Sequence, residues 1–125
     1  MVKVIHTDKA PQAIGPYSQA IDVGDLIFVS GQIPLNPETM EVVEGDIAAQ
    51  TKQVMKNLEA ILSEAGLTFA NVAKFTIYIT NMDDFSIINE VYATFLQEPY
   101  PARATVEVSK LPKGVKVEMD VIAKK

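Results

Sequence analysis

The chain has 125 residues, of which 48% are apolar and 22% are charged, and this composition is typical of one globular domain covering residues 1–125. With 11 Lys and Arg against 16 Asp and Glu, the net charge is −5, so the chain lacks the basic surface by which proteins bind nucleic acid or anionic membranes. Cysteine is absent and His6 is the only histidine, which excludes disulfides, zinc–thiolate sites, thiol nucleophiles and multi-histidine metal centres.

The first elements predicted along the chain are strands, beginning with a short β-like run over residues 2–7. Residues 18–23 and 26–30 are two apolar runs separated by Gly24 and Asp25, and a glycine that opens a two-residue loop is typical of a type II′ hairpin. Both faces of this hairpin are apolar, one with Ile21, Val23, Leu26 and Phe28, the other with Ala20, Ile27 and Val29. One face then covers the core, and we expect the other to contact a second subunit.

A helix is predicted after a loop over residues 34–45. Asp46 can cap its N-terminus, and the helix runs to about Ala65, with Gly66 at the position that commonly ends a helix. Its apolar stripe consists of Ile47, Val54, Leu58, Ile61, Leu62 and Ala65. This stripe predicts that the helix packs on the core with one face.

The second half of the chain predicts a strand, a helix and two further strands. Residues 71–80 alternate as a strand, and Asn81 can cap a second helix that must end before Pro99. Residues 103–108 and 115–123 alternate strongly as the last two strands. The second helix has an apolar stripe of Phe85, Ile88, Tyr92, Phe95 and Leu96.

The predicted order is β-β-β-α-β-α-β-β. Strand–helix–strand connections are right-handed, so both helices should lie on the same face of one mixed six-stranded sheet. The fold class is therefore α+β, a two-layer sandwich whose second sheet face has no helix to cover it.

The last two strands carry the strongest candidates for chemistry. Arg103 and Thr105 point to one side of the first of them, and Glu118 projects from the other strand, away from its apolar residues. If the two strands are antiparallel neighbours, one register places Arg103 directly across from Glu118 on the helix-free face. Pro101 holds the chain extended before the arginine, as bidentate recognition of a small carboxylate would require. The alternative is a solvated surface ion pair without function.

Four other residues are candidates for a binding site. Tyr17 lies in a Gly-Pro-Tyr-Ser turn, where it either belongs to the turn or closes a pocket. Gly31 after Ser30 either permits the close approach of a ligand to the backbone or simply ends a strand. Asn89 lies at the edge of the second helix's apolar stripe, as an exposed residue or as a buried amide with a fixed partner. His6, beside an apolar residue in the first strand, is interpreted as a structural or surface residue and not as a catalyst.

Taken together, these segments resemble the signature of the Rid/YjgF reactive intermediate deaminase family. The matching blocks are residues 13–20 (AIGPYSQA), 29–32 (VSGQ), 84–92 (DFSIINEVY), 101–106 (PARATV), 111–114 (LPKG) and 117–119 (VEM). They occur in order, without a large gap, over nearly the whole chain. Each block alone is weak, but the joint match is specific.

The resemblance implies a chorismate-mutase-like fold and a homotrimer with ligand clefts between its subunits. It also implies an enzyme that hydrolyses reactive 2-enamine and 2-imine acids, such as 2-aminoacrylate and 2-iminobutanoate, to 2-keto acids and ammonia. Such intermediates are released by pyridoxal-phosphate-dependent dehydratases. No metal and no cofactor are implied, and we expect a cytoplasmic protein because the start of the chain has no apolar signal region.

By position, Arg103 resembles the family's carboxylate anchor and Glu118 the group that orients or activates water. Gly31 resembles the residue whose backbone N–H helps to hold the ligand. The remaining residues that resemble the cleft lining are Tyr17, Ser30 and Asn89. Thr105 stands where many relatives have cysteine, so a thiol cannot be essential in this protein.

Two other functions compete with the deaminase. A non-catalytic regulatory module could bind a small carboxylate in the same arginine-centred cleft, although a receptor for an anion gains nothing from Glu118 beside its ligand. An RNA-cleaving translation inhibitor, an activity also attributed to the family, is disfavoured by the pI of 4.8 and by the lack of a basic stripe.

Overall fold

The structure, a computed structural model, describes residues 2–125. The strands are β1 (Lys3–Ile5), β2 (Ala20–Asp22), β3 (Leu26–Gln32), β4 (Val72–Ile79), β5 (Ala102–Glu107) and β6 (Val117–Lys124), and the helices are α1 (Ile47–Glu64) and α2 (Phe85–Thr94). They form one six-stranded sheet of order β1-β2-β3-β6-β4-β5, in which only β4 and β5 are parallel. Both helices pack on the same face, so the predicted two-layer α+β sandwich is confirmed.

The hairpin of β2 and β3 has the predicted two-residue loop. Val23 N–H donates to the Leu26 carbonyl at 3.0 Å, and Gly24 opens the loop with φ of 119°, which a side chain would disfavour. Ile27 is fully buried in the core, whereas Phe28 on the opposite face is 45% exposed. The helix-free face therefore carries the uncovered apolar side chains that the alternation predicts.

The first helix begins and ends as predicted. The Asp46 carboxylate accepts from Ala49 N–H at 3.0 Å, and Gly66 follows the helix with φ of 76°. The residues of α1 that are buried in the core include the predicted stripe from Ile47 to Leu62 and, in addition, Met55, Gln50, Thr51 and Asn57. Two of these additional residues, Gln50 and Asn57, are amides that are buried on α1.

The prediction that Asn81 caps α2 is wrong in detail. The Asn81 side chain accepts from Asp83 N–H at 2.9 Å and so closes a 3₁₀ turn over Met82–Asp84. The helix α2 begins only after that turn, at Phe85. An Asn side-chain oxygen can accept from the N–H two residues ahead as readily as it caps an α-helix. Here the tighter 3₁₀ turn precedes α2 along the chain.

The prediction that the last two strands are neighbours, with Arg103 across from Glu118, is also wrong. β4 lies between them, pairing in parallel with β5 (Phe75 beside Arg103) and antiparallel with β6 (Tyr78 beside Glu118). The right-handed connection through α2 places β5 beside β4 at the edge of the sheet, and no position beside β6 is left.

This sheet order separates the side chains of the two strands. Because residues paired across a ladder share a face, Arg103 lies on the helix side with the buried Phe75. Thr105 lies on the same side, beside Ile77. The prediction that Arg103 and Thr105 lie on the helix-free face is therefore wrong. That face carries Val106 from β5 instead, 43% exposed.

Neither helix within residues 2–125 is long and apolar enough to cross a membrane.

Candidate functional site

Arg103 extends from the edge strand β5 over the side of α2. Its guanidinium carbon lies 5.3 Å from the centre of the Phe85 ring and 5.2 Å from that of Tyr92. Its Nη1 donates to Oδ1 of Asn89 at 2.5 Å. Arg103 forms no ion pair with any carboxylate of residues 2–125. Two aromatic rings and one amide therefore hold a guanidinium that has no acidic partner in the described part of the chain.

These contacts follow from spacing along α2. Phe85, Asn89 and Tyr92 are separated by four and three residues, so their side chains lie on one face of the helix. Asn89 thus lies between the two interpretations open from sequence: it is half-buried and not fully buried, and it has Arg103 as a hydrogen-bond partner. We call Phe85, Asn89, Tyr92 and Arg103 the arginine cluster. A planar guanidinium oriented in this way is suited to bidentate binding of a small carboxylate.

Thr105 lies two residues beyond Arg103, on the same face of β5. Its hydroxyl oxygen is buried and has no hydrogen-bond partner among the described residues. Within one chain this hydroxyl is consequently closed to a ligand, although the residue stands beside the arginine cluster.

Glu118 lies on the helix-free face, half-buried, in the middle of the sheet. Burial and, to a smaller extent, the charge of Asp120 raise the pKa of the Glu118 carboxyl above its ordinary value. Asp120 accepts a hydrogen bond from the Tyr78 hydroxyl at 3.0 Å, and burial together with that carboxylate raises the pKa of Tyr78. A carboxyl whose pKa is raised in this way is better suited to exchange protons near neutral pH than an exposed one.

Gly31 lies directly against Glu118. The pairing of β3 with β6 shifts register between Val29 and Gln32, which places a bulge at Ser30 and Gly31. A Cβ atom on Gly31 would overlap the Glu118 carboxylate and would lie only 3.0 Å from its Cδ. The close approach of this side chain, and not the backbone conformation, is what requires glycine here.

Ser30 and Tyr17 complete this group, which we call the glutamate cluster: Tyr17, Ser30, Gly31 and Glu118. The Ser30 hydroxyl donates to the Ser18 carbonyl at 2.6 Å and so holds the strand that follows Tyr17. Tyr17, 53% exposed, and Gly31 both line a cavity of about 330 Å³. Tyr17 therefore borders a pocket, as one of its two interpretations predicts.

The structure thus forms two clusters from the predicted residues instead of one. The arginine cluster and Thr105 lie on the helix side at the sheet edge, and Glu118 lies on the opposite face. His6 is exposed at the surface, and its Nε2 lies 3.1 Å from Oδ1 of Asp8. No group of three or more His, Asp or Glu side chains in the described part of the chain is placed to hold a metal ion.

Sequence reasoning missed Phe85, Tyr92 and Asp120 as members of the site. The sequence pattern assigns Phe85 and Tyr92 only to the apolar stripe of a helix, and they do pack on the core as well. The sequence does contain a signal for them: Phe85, Asn89 and Tyr92 are spaced so that an amide lies between two aromatic rings on one helix face. Such a face can bind a cation.

Replacing Gly31 by alanine is expected to displace the Glu118 carboxylate with little cost in stability, because the overlapping atoms belong to the end of a flexible side chain. A displacement of about 1 Å at a reacting group can cost about 100-fold in rate. We expect any activity that depends on Glu118 to fall by that order, while the melting temperature stays close to that of the wild type.

The control is to introduce Gly31→Ala into a chain that already carries Glu118→Gln. If Gly31→Ala acts by moving Glu118, it should add little loss to a Glu118→Gln variant. Independent, additive losses would show that Gly31 acts in another way.

Comparison with known proteins shows the family of this chain. The model of the family described as Endoribonuclease L-PSP matches residues 7–125. A RutC family protein of Pyrococcus abyssi is 56% identical over 98% of this chain and 97% of its own. The crystal structure of RidA from an Antarctic Psychrobacter species is 48% identical, with a TM-score of 0.95 over 98% of this chain and 99% of that one.

A crystal structure of Escherichia coli TdcF with bound serine is also similar, at 44% identity and a TM-score of 0.94 over 98% of both chains. The fold and these full-length matches lead to one assignment: the chain belongs to the Rid/YjgF family, whose family model is described as Endoribonuclease L-PSP.

Proposed function

We propose that this protein is a deaminase that hydrolyses 2-imine and 2-enamine acids to 2-keto acids and ammonia, in clefts shared by neighbouring subunits of a homotrimer. The observation that carries the proposal is Arg103. Its guanidinium is oriented by Phe85, Tyr92 and Asn89 and has no carboxylate partner of its own among residues 2–125. A small carboxylate supplied by a substrate would be that partner.

One relative supports the substrate class. The TdcF structure contains bound serine, a small molecule with one carboxylate next to the carbon that bears nitrogen. A 2-imino acid has the same arrangement of carboxylate and nitrogen-bearing carbon. Binding of the carboxylate by Arg103 would fix the position of the carbon that water attacks.

The second catalytic group is Glu118. An enamine acid first becomes an iminium by protonation at carbon. Water then adds to the iminium carbon while Glu118 accepts its proton, which gives a carbinolamine. Glu118 returns the proton to the nitrogen, and the carbon–nitrogen bond breaks as the hydroxyl oxygen forms the double bond to carbon. The hydroxyl proton passes to the departing ammonia, so that a 2-keto acid and ammonium are released. The raised pKa of Glu118 suits both transfers, and the steps need no metal or redox cofactor.

A shared cleft is the part of the proposal that joins the two clusters. Arg103 and Glu118 lie on opposite faces of the sheet in one chain, so a single chain cannot place both on one small substrate. The helix-free face is apolar and uncovered, with Phe28 45% and Val106 43% exposed. If neighbouring subunits cover these faces around a closed ring, the arginine cluster of one can meet the glutamate cluster of the next.

The description of the family model raises RNA cleavage as another activity. The observations on this chain favour the deaminase, because a net charge of −5 opposes the phosphate backbone. The arginine cluster offers one cation where RNA binding uses a basic surface.

Replacing Glu118 by glutamine is expected to separate an enzyme from a carboxylate receptor. The amide keeps the shape of the side chain but cannot accept the proton, so turnover should fall by about 100-fold or more. Binding of a 2-keto acid should be retained or become tighter, because a negative charge beside the bound anion is removed.

Turnover is followed with a threonine or serine dehydratase as the source of the imine, and binding by calorimetry with 2-oxobutanoate. The wild type should lose activity as the pH falls through the raised pKa of Glu118, because the basic form is lost, and the variant should lack this dependence. Intact turnover with lost binding would contradict the role of Glu118. Binding without turnover in the wild type itself would favour the regulatory module.

A further inference from the structure

We infer that the cavity beside Gly31 receives the side chain of the substrate, that Met40 limits its size, and that the preferred substrates are 2-imino acids whose apolar side chains are larger than a methyl group. This inference rests on the proposed function, since it assigns a subsite to the same cleft. Gly31 and Tyr17, two members of the glutamate cluster, both line the cavity. A substrate bound beside Glu118 therefore has this space next to it.

The lining of the cavity is mostly apolar. Its apolar side chains are Pro11, Ile14, Tyr17, Ile33, Leu35, Met40 and Pro112. The only charged residue in the lining is Lys113, and no carboxylate contributes to it. At about 330 Å³ the cavity is at the lower end of small-molecule sites, which is more than a methyl group needs and enough for a branched or aromatic side chain.

Two buried amides fix the walls of this cavity. The Gln19 side chain accepts from Thr7 N–H at 2.7 Å and donates to the Pro11 carbonyl at 2.8 Å, which holds the N-terminal wall. From α1, the Asn57 side chain donates to the Leu35 carbonyl at 3.0 Å and holds the opposite wall. Because the segments are tied from inside the protein, the cavity has a defined shape, and its size can discriminate between side chains.

Two residues with an unusual backbone conformation also lie at this cavity. Met40, with φ of 60°, and Lys113, with φ of 57°, are the two non-glycine residues between 2 and 125 that adopt a left-handed conformation. Both line this cavity. Such conformations persist where surrounding structure enforces them and concentrate at binding sites. Met40 N–H donates to the Asn36 carbonyl at 2.7 Å, which closes the turn that presents its side chain.

Met40 is suited to set the size limit. It is half-buried in the lining, and the turn that it closes with Asn36 holds its backbone in place, so its side chain occupies space that a larger substrate would need. Phenylalanine at this position would stiffen and partly fill the space. Met82 provides a matched control, because it is a methionine 43% exposed at the surface and outside the lining of the cavity.

The test measures binding of three 2-keto acids to the assembled protein by calorimetry: pyruvate, 4-methyl-2-oxopentanoate and 2-oxoglutarate. We expect the wild type to bind 4-methyl-2-oxopentanoate about tenfold or more tightly than pyruvate, because each buried methylene contributes to discrimination. Met40→Phe should remove most of that preference while pyruvate binding is unchanged. Met82→Phe should leave all three affinities as in the wild type.

Equal affinity for pyruvate and 4-methyl-2-oxopentanoate would overturn the inference, as would a preference that Met40→Phe does not alter. Tightest binding of 2-oxoglutarate would also overturn it and would assign the cavity to acidic side chains through Lys113. If Met40→Phe does not fold, Met40→Leu replaces it, with a smaller change expected in the same ratio.

Turnover of the imines derived from leucine and alanine distinguishes this inference from the proposed function. Loss of the side-chain preference with rapid hydrolysis of both imines contradicts the subsite alone. Absence of hydrolysis contradicts the proposed function, and the binding measurements still decide the subsite.

Discussion

Arg103→Ala is expected to reduce kcat/KM for imine hydrolysis by roughly 30-fold to several-thousand-fold, because loss of one partner from a desolvated charge pair costs about 2–5 kcal/mol. The fold should survive. Arg103 lies at the sheet edge and forms no ion pair within the described chain, so its removal leaves no buried charge without a partner. Only its contacts with two rings and Asn89 are lost. Thermal unfolding and the coupled dehydratase assay measure the two effects.

Arg103→Lys should recover little of this activity, since an ammonium cannot reproduce the planar fork that grips a carboxylate. Lys52→Ala is the control for charge, because Lys52 is exposed on α1 and its removal shifts the net charge of −5 by one unit, as Arg103→Ala does. Activity within about twofold of the wild type in Arg103→Ala would rule out Arg103 as the carboxylate anchor.

The elements of the fold could be predicted from the sequence because their signals are local. Alternation identified the strands, Asp46 and Gly66 delimited α1, and Gly24 identified the hairpin loop. The sheet order could not be predicted in this way. Alternation assigns the residues of a strand to two faces, but it does not say which strand lies beside it. The pairing of β5 with β4 instead of β6 depends on the crossover through α2.

Because alternation does not show which strands are neighbours, the face on which Arg103 and Thr105 lie could not be predicted either. Arg103 and Thr105 alternate with apolar residues, so a polar face toward solvent is the simplest interpretation of the sequence. At the edge of the sheet, however, a guanidinium can lie on the helix side over Phe85 and Tyr92. The contact of Gly31 with Glu118 joins segments far apart in sequence, and it depends on the pairing of β3 with β6 and on the bulge in β3. Asn36 and Pro37 indicate a turn before Met40, but they do not show that Met40 itself adopts the left-handed conformation.

Assembly is expected to be inseparable from activity. Two helices cover one face of a six-stranded sheet, and the other face exposes Val23, Phe28 and Val106 at 42%, 45% and 43%. An apolar patch of this kind is typical of a subunit interface, and the family resemblance favours three subunits in a closed ring. Light scattering should give about 41 kDa, three times 13.7 kDa. A stable, fully active monomer would contradict both the interface and the shared cleft.

The most direct test of a shared cleft co-assembles two inactive chains, Arg103→Ala and Glu118→Gln, in equal amounts. In a mixed trimer a cleft between the two kinds of subunit can combine an intact Arg103 from one with an intact Glu118 from the other. Random mixing makes about a quarter of all clefts intact, so we predict about a quarter of the wild-type kcat per subunit, far above either variant alone. If both residues act within one chain, no cleft is restored, and activity that stays at the level of the separate variants would contradict the account.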